Sequence, residues 1–416
     1  MRKELRRILK KMEWRMTSIS ELQRADVILK KLSVGMDEEE NRKKIKRVRS
    51  ILRRQKYLQR KKLYLRIMTA GAVLILVLII LTVSFFAHAG KISDPSIDET
   101  EDTSETEYAD SESIELVMSF TGDCILGTDE FFDWNTSLNA YHEAYGGAYF
   151  LDNVRDIFKK DDLTIINMEG TLTEESARLE KQFAFKGPME FIDILSGSSI
   201  EAANIANNHS HDYGEKSFQD TVELLEKNNI APFGYERVQV LDVKGIKVGF
   251  FGIYELDDHL TRIPQVKENI STLKRQNADV IVAVFHWGNE LEEVPDSNQT
   301  TLAHLAIDEG ADLVIGHHPH ILQGVEQYKG KNIAYSLGNF CFGGNTHPAE
   351  MDTMIFQQKF VLNSEKKIIE SEINMIPCMV SSEVDFNNYQ PTPMEGEEAQ
   401  RIIEKIQMRS DAIAFF

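Results

Sequence analysis

Two kinds of apolar pattern run along this chain. Between residues 67 and 87 lie 21 consecutive uncharged residues, IMTAGAVLILVLIILTVSFFA. At 1.5 Å per residue a helix of that length is about long enough to cross a ~30 Å hydrocarbon core. A soluble core helix rarely stays apolar on every side for so long, and a cleaved signal peptide does not fit a run preceded by 66 residues. The pattern predicts one transmembrane helix. From Leu116 onward short apolar runs alternate with amphipathic segments. LVMSF (116–120), LTIIN (163–167), KVGFFGI (247–253), DVIVAVF (279–285), DLVIG (312–316) and NIAYSL (332–337) read as buried strands. Helices are predicted from Pro188 through Leu195, over 217–228 and over 299–309, the last stopped by Gly310. VQVLDVKGIKVGFFGI reads as a hairpin turning at Lys244-Gly245. MDTMIFQQKFVL and KKIIESEINMIPCMV read as closing strands, and 395–408 as a final helix. The alternation predicts an α/β domain with some antiparallel pairing.

Charge divides the chain in the same places. Residues 1–66 hold 23 Lys+Arg against 8 Asp+Glu, whereas 116–416 hold 23 against 48. Arg60, Lys61, Lys62 and Arg66 precede the apolar run and only Lys91 closely follows it. Excess basic residues mark the cytoplasmic side, so the N-terminus is expected inside and the C-terminal domain outside. The predicted organisation is a basic cytoplasmic helical segment (1–66), a transmembrane helix (67–87), an acidic linker (88–115) and an extracytoplasmic domain (116–416). The basic segment is read as touching anionic lipid or a partner protein, ranked above nucleic acid because lipid head groups lie beside it. The linker carries ten acidic residues between 92 and 115 and little that would form a core. Cys124, Cys341 and Cys378 are too few and too scattered for a disulfide framework, and the lack of any CxxC spacing argues against a thiolate metal site.

Ligand-type residues cluster at the C-terminal ends of the apolar runs: Asp123 after the first, Asn167-Met168-Glu169 after the second and Asn207-Asn208-His209-Ser210-His211-Asp212 after EAANIA. His286-Trp287-Gly288-Asn289-Glu290, His317-His318-Pro319-His320 and Gly338-Asn339-Phe340 follow the later runs. Taken singly, Asp123 fits a turn or cap, Asn207-Asn208 fit a turn and Trp287 fits packing. Taken together at one structural position they point to one site, because loops beyond strand C-termini converge in α/β sheets. Six of the 11 histidines fall in three of these segments. His-x-His on an extended segment would point both rings to one side, and imidazole, carboxylate and amide without thiolate suits Mn²⁺, Fe²⁺ or Zn²⁺, as one or two ions.

The motifs GDCILG (122–127), NMEG (167–170), NNHSHDYG (207–214), HWGNE (286–290), GHHPH (316–320) and SLGNF (336–340) resemble, in order, those of the CapA (PgsA) family of capsule and poly-γ-glutamate synthesis proteins, a branch of the calcineurin-like metallophosphoesterases. The resemblance implies a two-layer β-sandwich flanked by helices, with metals at the sheet edge. It implies Asp123, Glu169, Asn208, His286, His318 and His320 as metal ligands, with Glu169 bridging. Spacing leaves open whether His317 or His318 opens the final pair. His209 and Asp212 would be catalytic, and Lys186 and Asn339 substrate-binding, Lys186 being read equally as a solvated surface lysine. One departure stands out: the superfamily begins with Asp-x-His, and the third position here is Ile125. One ion is then short of a ligand or borrows His211 or Asp212. The implied partners are membrane-bound polyglutamate synthase or export subunits, the membrane, and an anionic polymer or phosphoester as substrate. A cell-surface phosphoesterase unrelated to polyglutamate and a non-catalytic assembly subunit are the alternatives.

Overall fold

The computed structural model of the chain describes residues 113–413. The basic segment, the apolar run at 67–87 and nearly all of the acidic linker lie outside the described residues. Among the described residues no helix is long and apolar enough to cross a membrane.

In chain order the strands are β1 (Ile114–Ile125), β2 (Leu163–Met168), β3 (Thr171–Leu172), β4 (Lys186–Gly187), β5 (Ala202–Asn204), β6 (Ala231–Phe233), β7 (Val238–Val243) and β8 (Ile246–Tyr254). They continue with β9 (Val280–His286), β10 (Leu313–His317), β11 (Val325–Tyr328), β12 (Lys331–Ala334), β13 (Asn339–Phe342), β14 (Asp352–Leu362), β15 (Ile368–Met379) and β16 (Thr392–Pro393). The helices are α1 (Leu138–Tyr145), α2 (Arg155–Phe158), α3 (Ile192–Ser196), α4 (Glu215–Lys227), α5 (Ile263–Arg275), α6 (Ser297–Glu309) and α7 (Gly396–Ile413).

Two sheets face each other. One runs β16-β15-β14-β1-β2-β5-β6, with β13 also on β1, and the other runs β11-β12-β10-β9-β8-β7. Their shared core joins Phe120 and Ile165 of the first to Phe250, Val282 and Ile315 of the second. The outer face of the first sheet is covered by α1, α3 and α4 through Leu138, Leu195 and Leu225. The second is covered by α5 and α6 through Ile270 and Leu302. This is the two-layer β-sandwich flanked by helices that the resemblance implies. The runs with no polar face, β2, β9 and β10, are buried along their whole length and pair in parallel, as strands covered on both sides must.

Local signals act as their chemistry dictates. Lys244 and Gly245 both take positive φ (55° and 80°) between β7 and β8, the backbone a two-residue hairpin requires. Asp296 caps α6 in a capping box with Gln299, and Gly310 ends it at φ 116°. Two elements differ from expectation. The helix opening at Pro188 begins as a 3-10 turn, Met189–Phe191, before α3. The strand expected over 332–337 is regular only to Ala334, yet its antiparallel pairing runs on to Leu337: Tyr335 N–H donates to Gly324 O (3.2 Å), Gln323 N–H donates to Ser336 O (3.0 Å) and Leu337 bridges Leu322. At Gly338 the chain crosses from the second sheet to the first: Asp123 N–H donates to Gly338 O at 2.9 Å, and β13 runs parallel to β1. That crossing ties the two sheets together at their C-terminal edge. Gly122 permits it, since a Cβ there would lie 2.3 Å from Gly338 O.

Candidate metal centre

The parallel registers deliver the ligand-type residues to one edge. Asp123 pairs with Asn167, and Asn167 with Asn204, across β1, β2 and β5. In the other sheet His317 pairs with His286. Just beyond these strands the backbone turns sharply. His318 and His320 take φ of 94° and 56°, so the segment is not extended. A left-handed turn, not strand alternation, brings the two rings to 5.5 Å between centroids. Each such residue costs on the order of 1–3 kcal/mol and persists only where its surroundings hold it. Here Asp123 Oδ2 accepts from His318 N–H (3.3 Å), and Pro319 O accepts from Leu291 N–H (2.9 Å).

Glu169 sits at the middle, fully buried. Its Oε1 lies 3.8 Å from His286 Nε2, 3.8 Å from His320 Nε2 and 3.9 Å from His209 Nε2. These spacings are too long for hydrogen bonds, and neither carboxylate oxygen has a hydrogen-bond partner; His318 Nδ1 is likewise buried and unpartnered. Two groups share Glu169. Ligand atoms of Glu169, His286 and His318 lie within 4.8 Å of one another, as do those of Asp123, Glu169 and His320. Asn208 Oδ1 is 2.8 Å from His286 Nε2, on the side of the first group. A buried carboxylate without a donor is costly, and a cation among these oxygens and imidazoles would remove that cost. The residues present therefore fit a divalent ion. His318, rather than His317, enters a group; His317 Nδ1 instead lies 3.0 Å from Asp123 Oδ1.

The electrostatics follow from burial and neighbours. Burial holds His286 well below the usual histidine value, and burial with His320 nearby pushes His318 down to about 3, so both rings are neutral. Burial and the adjacent Asp123 raise Glu169 well above the usual carboxylate range. Burial would raise Asp123 too, but His317 and His320 outweigh it and hold that carboxyl low. Burial would lower His320, but Glu169 and Asp123 overcome it and bring that ring to about 9.

His209 stands across Glu169 with its tautomer set from behind. Its Nδ1–H donates to Asp212 at 2.6 Å, which leaves Nε2 facing the centre. Asp212 also accepts from Lys181 Nζ and from Phe185 N–H, both at 2.6 Å. Neither His211 nor Asp212 enters the ligand groups: His211 pairs with Glu215 at 3.4 Å and stacks on Phe218. Asn339 Oδ1 lies 3.0 Å from His320 Nδ1, placing it behind a ligand-type ring. Lys186 turns elsewhere, donating to Glu175 O at 2.6 Å over the Tyr213 ring. Trp287 is packing, fully buried with its indole N–H on Tyr335 O. Ile125, two positions beyond Asp123, packs with Phe185 and Phe342 in a small apolar cluster.

Sequence reasoning placed Asn167 among the ligand-type residues without a role, and did not single out Asn204 or Lys181. Asn204 Nδ2 donates to Asn167 Oδ1 (2.8 Å), and Asn167 Nδ2 donates to Asp123 Oδ1 (2.9 Å), a buried amide relay that fixes the carboxylate. The available signal was two asparagines at the C-terminal ends of buried strands.

The chain is similar to several known proteins. Residues 117–344 match the family described as bacterial capsule synthesis protein PGA_cap. The PGA biosynthesis protein CapA of Bacillus subtilis (strain 168) is 28% identical over 278 residues, 62% of this chain and 68% of that protein. The capsule biosynthesis protein CapA of Bacillus anthracis is 28% identical over 257 residues, covering 56% and 61%. Among solved structures, a hypothetical protein from Thermus thermophilus overlays at TM-score 0.37 and 14% identity, covering 63% of this chain and 99% of that one. A 5'-nucleotidase from Candida albicans overlays at TM-score 0.37 and 11% identity, covering 71% and 57%. At that level the two overlays carry no inference.

Proposed function

The chain belongs to the bacterial capsule synthesis protein family PGA_cap, and from that premise we propose that it is an accessory protein of capsule or poly-γ-glutamate synthesis built around a divalent-metal centre. The observation that carries the reading is Glu169, a fully buried carboxylate with three imidazole Nε2 atoms 3.8–3.9 Å from one oxygen and no hydrogen-bond donor. Asp123, Glu169, Asn208, His286, His318 and His320 would hold the ion or ions. When bound, a divalent ion supplies Lewis acidity and an activated water near neutral pH.

The chain's own residues do the rest. Asp212 holds His209 in the tautomer whose Nε2 faces the centre, where it accepts a proton or, protonated, gives one to a departing oxygen. Asn339 and Asn167 steady His320 and Asp123. Residues 116–416 carry 23 basic and 48 acidic residues, so a polyanion is repelled at long range and its contact is confined to the centre. In this reading residues 67–87 anchor the chain in the cell membrane, with 1–66 inside and the domain outside beyond the 88–115 linker. Membrane-bound synthase or export subunits are the partners.

The test is complementation of a polymer-producing strain deleted for this chain. Wild type restores surface polymer, and Glu169→Gln, accumulating to the same level, does not. Full restoration by Glu169→Gln would show that the carboxylate is dispensable and leave only an assembly role. Metal-dependent phosphoesterase activity without a polymer phenotype on deletion would support the cell-surface phosphoesterase instead.

A further inference from the structure

An apolar rim borders the centre between two of its imidazoles. The Phe185 ring lies 4.7 Å from the His209 ring between centroids, and the Phe342 ring 6.2 Å from the His320 ring. Phe185 and Phe342 meet in one cluster, against which Phe132 packs. The rings then continue outward. Phe183 is nearly parallel to Phe185, 6.2 Å away at 13°, and Phe132 leans on both at 5.9 and 6.4 Å. Phe183 is 40% exposed, and Phe131, under the Arg178 guanidinium, is 74% exposed. A single exposed phenylalanine needs no explanation, but rings leading in a row from a buried centre to solvent mark a binding surface.

The two loops that carry these rings are fixed from inside. Asp129, itself buried, accepts from Phe131 N–H (2.9 Å), Ala184 N–H (2.6 Å) and Arg178 Nη2 (2.8 Å). Asp212 accepts from Phe185 N–H at 2.6 Å, and its backbone carbonyl accepts from Leu179 N–H at 2.9 Å. Hydrogen bonds to a buried carboxylate are strong, so the rings are set in place before any ligand arrives and little ordering entropy is lost on binding. Preset flat faces suit a rigid planar partner better than a flexible chain, which would lose its own rotamer freedom on them.

Resting on the metal-centre reading, we propose that Phe183, Phe185 and Phe132 form a subsite for a planar ring carried by the anion that the centre binds. The ligand class is a ring-bearing phosphate ester, with its phosphoryl oxygens at the centre and its ring against Phe183 and Phe185, beyond His209. Offset or edge-to-face contact with these rings strengthens binding about tenfold over the same anion without a ring.

The test is calorimetric titration of the full chain, purified in detergent and loaded with Zn²⁺, with methyl-, benzyl- and n-hexylphosphonate, whose C–P bond resists hydrolysis. Benzylphosphonate is expected to bind about tenfold more tightly than methylphosphonate, and n-hexylphosphonate to gain clearly less. Equal affinities for the methyl and benzyl compounds, or a hexyl affinity that matches benzyl, overturns the ring subsite and leaves the metal centre standing. Bound Zn²⁺ with no binding of any phosphonate likewise overturns this proposal alone. Absence of Zn²⁺ from the loaded protein removes the metal-centre reading and this proposal together. Phe183→Ala and Phe183→Leu, at an exposed position, are expected to abolish the preference for benzylphosphonate, and Phe183→Tyr to keep it. A preference that survives Phe183→Ala overturns the assignment of the ring to this wall.

Discussion

At the scale of single residues, Asp212 does much of the organising around the centre without being a ligand. It takes three donors at 2.6 Å, from His209, Lys181 and the Phe185 backbone. Charge-assisted bonds to a buried carboxylate are the strong kind. Asp212→Asn is therefore expected to cost about 2 kcal/mol of unfolding free energy by urea titration, with bound metal unchanged. Loss of metal on that substitution would make Asp212 a ligand. Glu169→Gln has the opposite sign in chelator-treated protein, because a neutral amide replaces a carboxylate that has no donor. A gain of about 1 kcal/mol is expected in metal-free urea titrations; a loss would mean that Glu169 has a partner of its own. Asp123, Glu169, Asn208, His286 and the 317–320 imidazoles were legible in the chain because their residue types are unusual after buried apolar runs. Lys181 was not, since its partners Asn208 and Asp212 lie 27 and 31 positions away and nothing local distinguishes it from a solvated lysine.

Among elements, α7 is tied to the back of the centre by charge. Arg401 and Lys405 both reach Asp352 at the start of β14, and Arg409 donates to Leu322 O, just beyond His320, and to Glu350. Burial alone would raise the Asp352 carboxyl, but hydrogen bonds from Arg401 and Lys405 outweigh it and hold it below the usual value. A carboxyl lowered in the folded state adds stability above its unfolded pKa of about 4 and loses it as pH falls through the folded value. Asp352→Asn is thus expected to cost about 1–2 kcal/mol at neutral pH, and clearly less near pH 3, in paired denaturation curves. An equal cost at both pH values would show that the carboxylate charge contributes nothing. The strands with long apolar runs were readable, as was α6 with its Asp296 cap and Gly310 stop. Three-residue β5 and β6 and four-residue β13 are too short to show a period. Tyr335 to Leu337 continue the buried run and stay paired with 322–324, so composition alone could not mark where the regular part of β12 ends.

For the whole molecule, the sandwich is a device for bringing the C-terminal edges of two sheets together. The β12-to-β13 crossing is where they join, and Gly122 makes room for it. Gly122→Ala would force its methyl against Gly338 O, 2.3 Å away. Overpacking of this kind typically costs about 1–3 kcal/mol, and it is expected to lower bound metal as well as the melting temperature. A melting temperature and metal content equal to wild type would show the crossing to be adaptable. Whether this edge holds a metal at all is decided by anomalous X-ray diffraction from crystals grown with Zn²⁺ or Mn²⁺. A peak is expected within bonding distance of Glu169, Asn208, His286 and His318. A map without any peak among these side chains would contradict the metal centre.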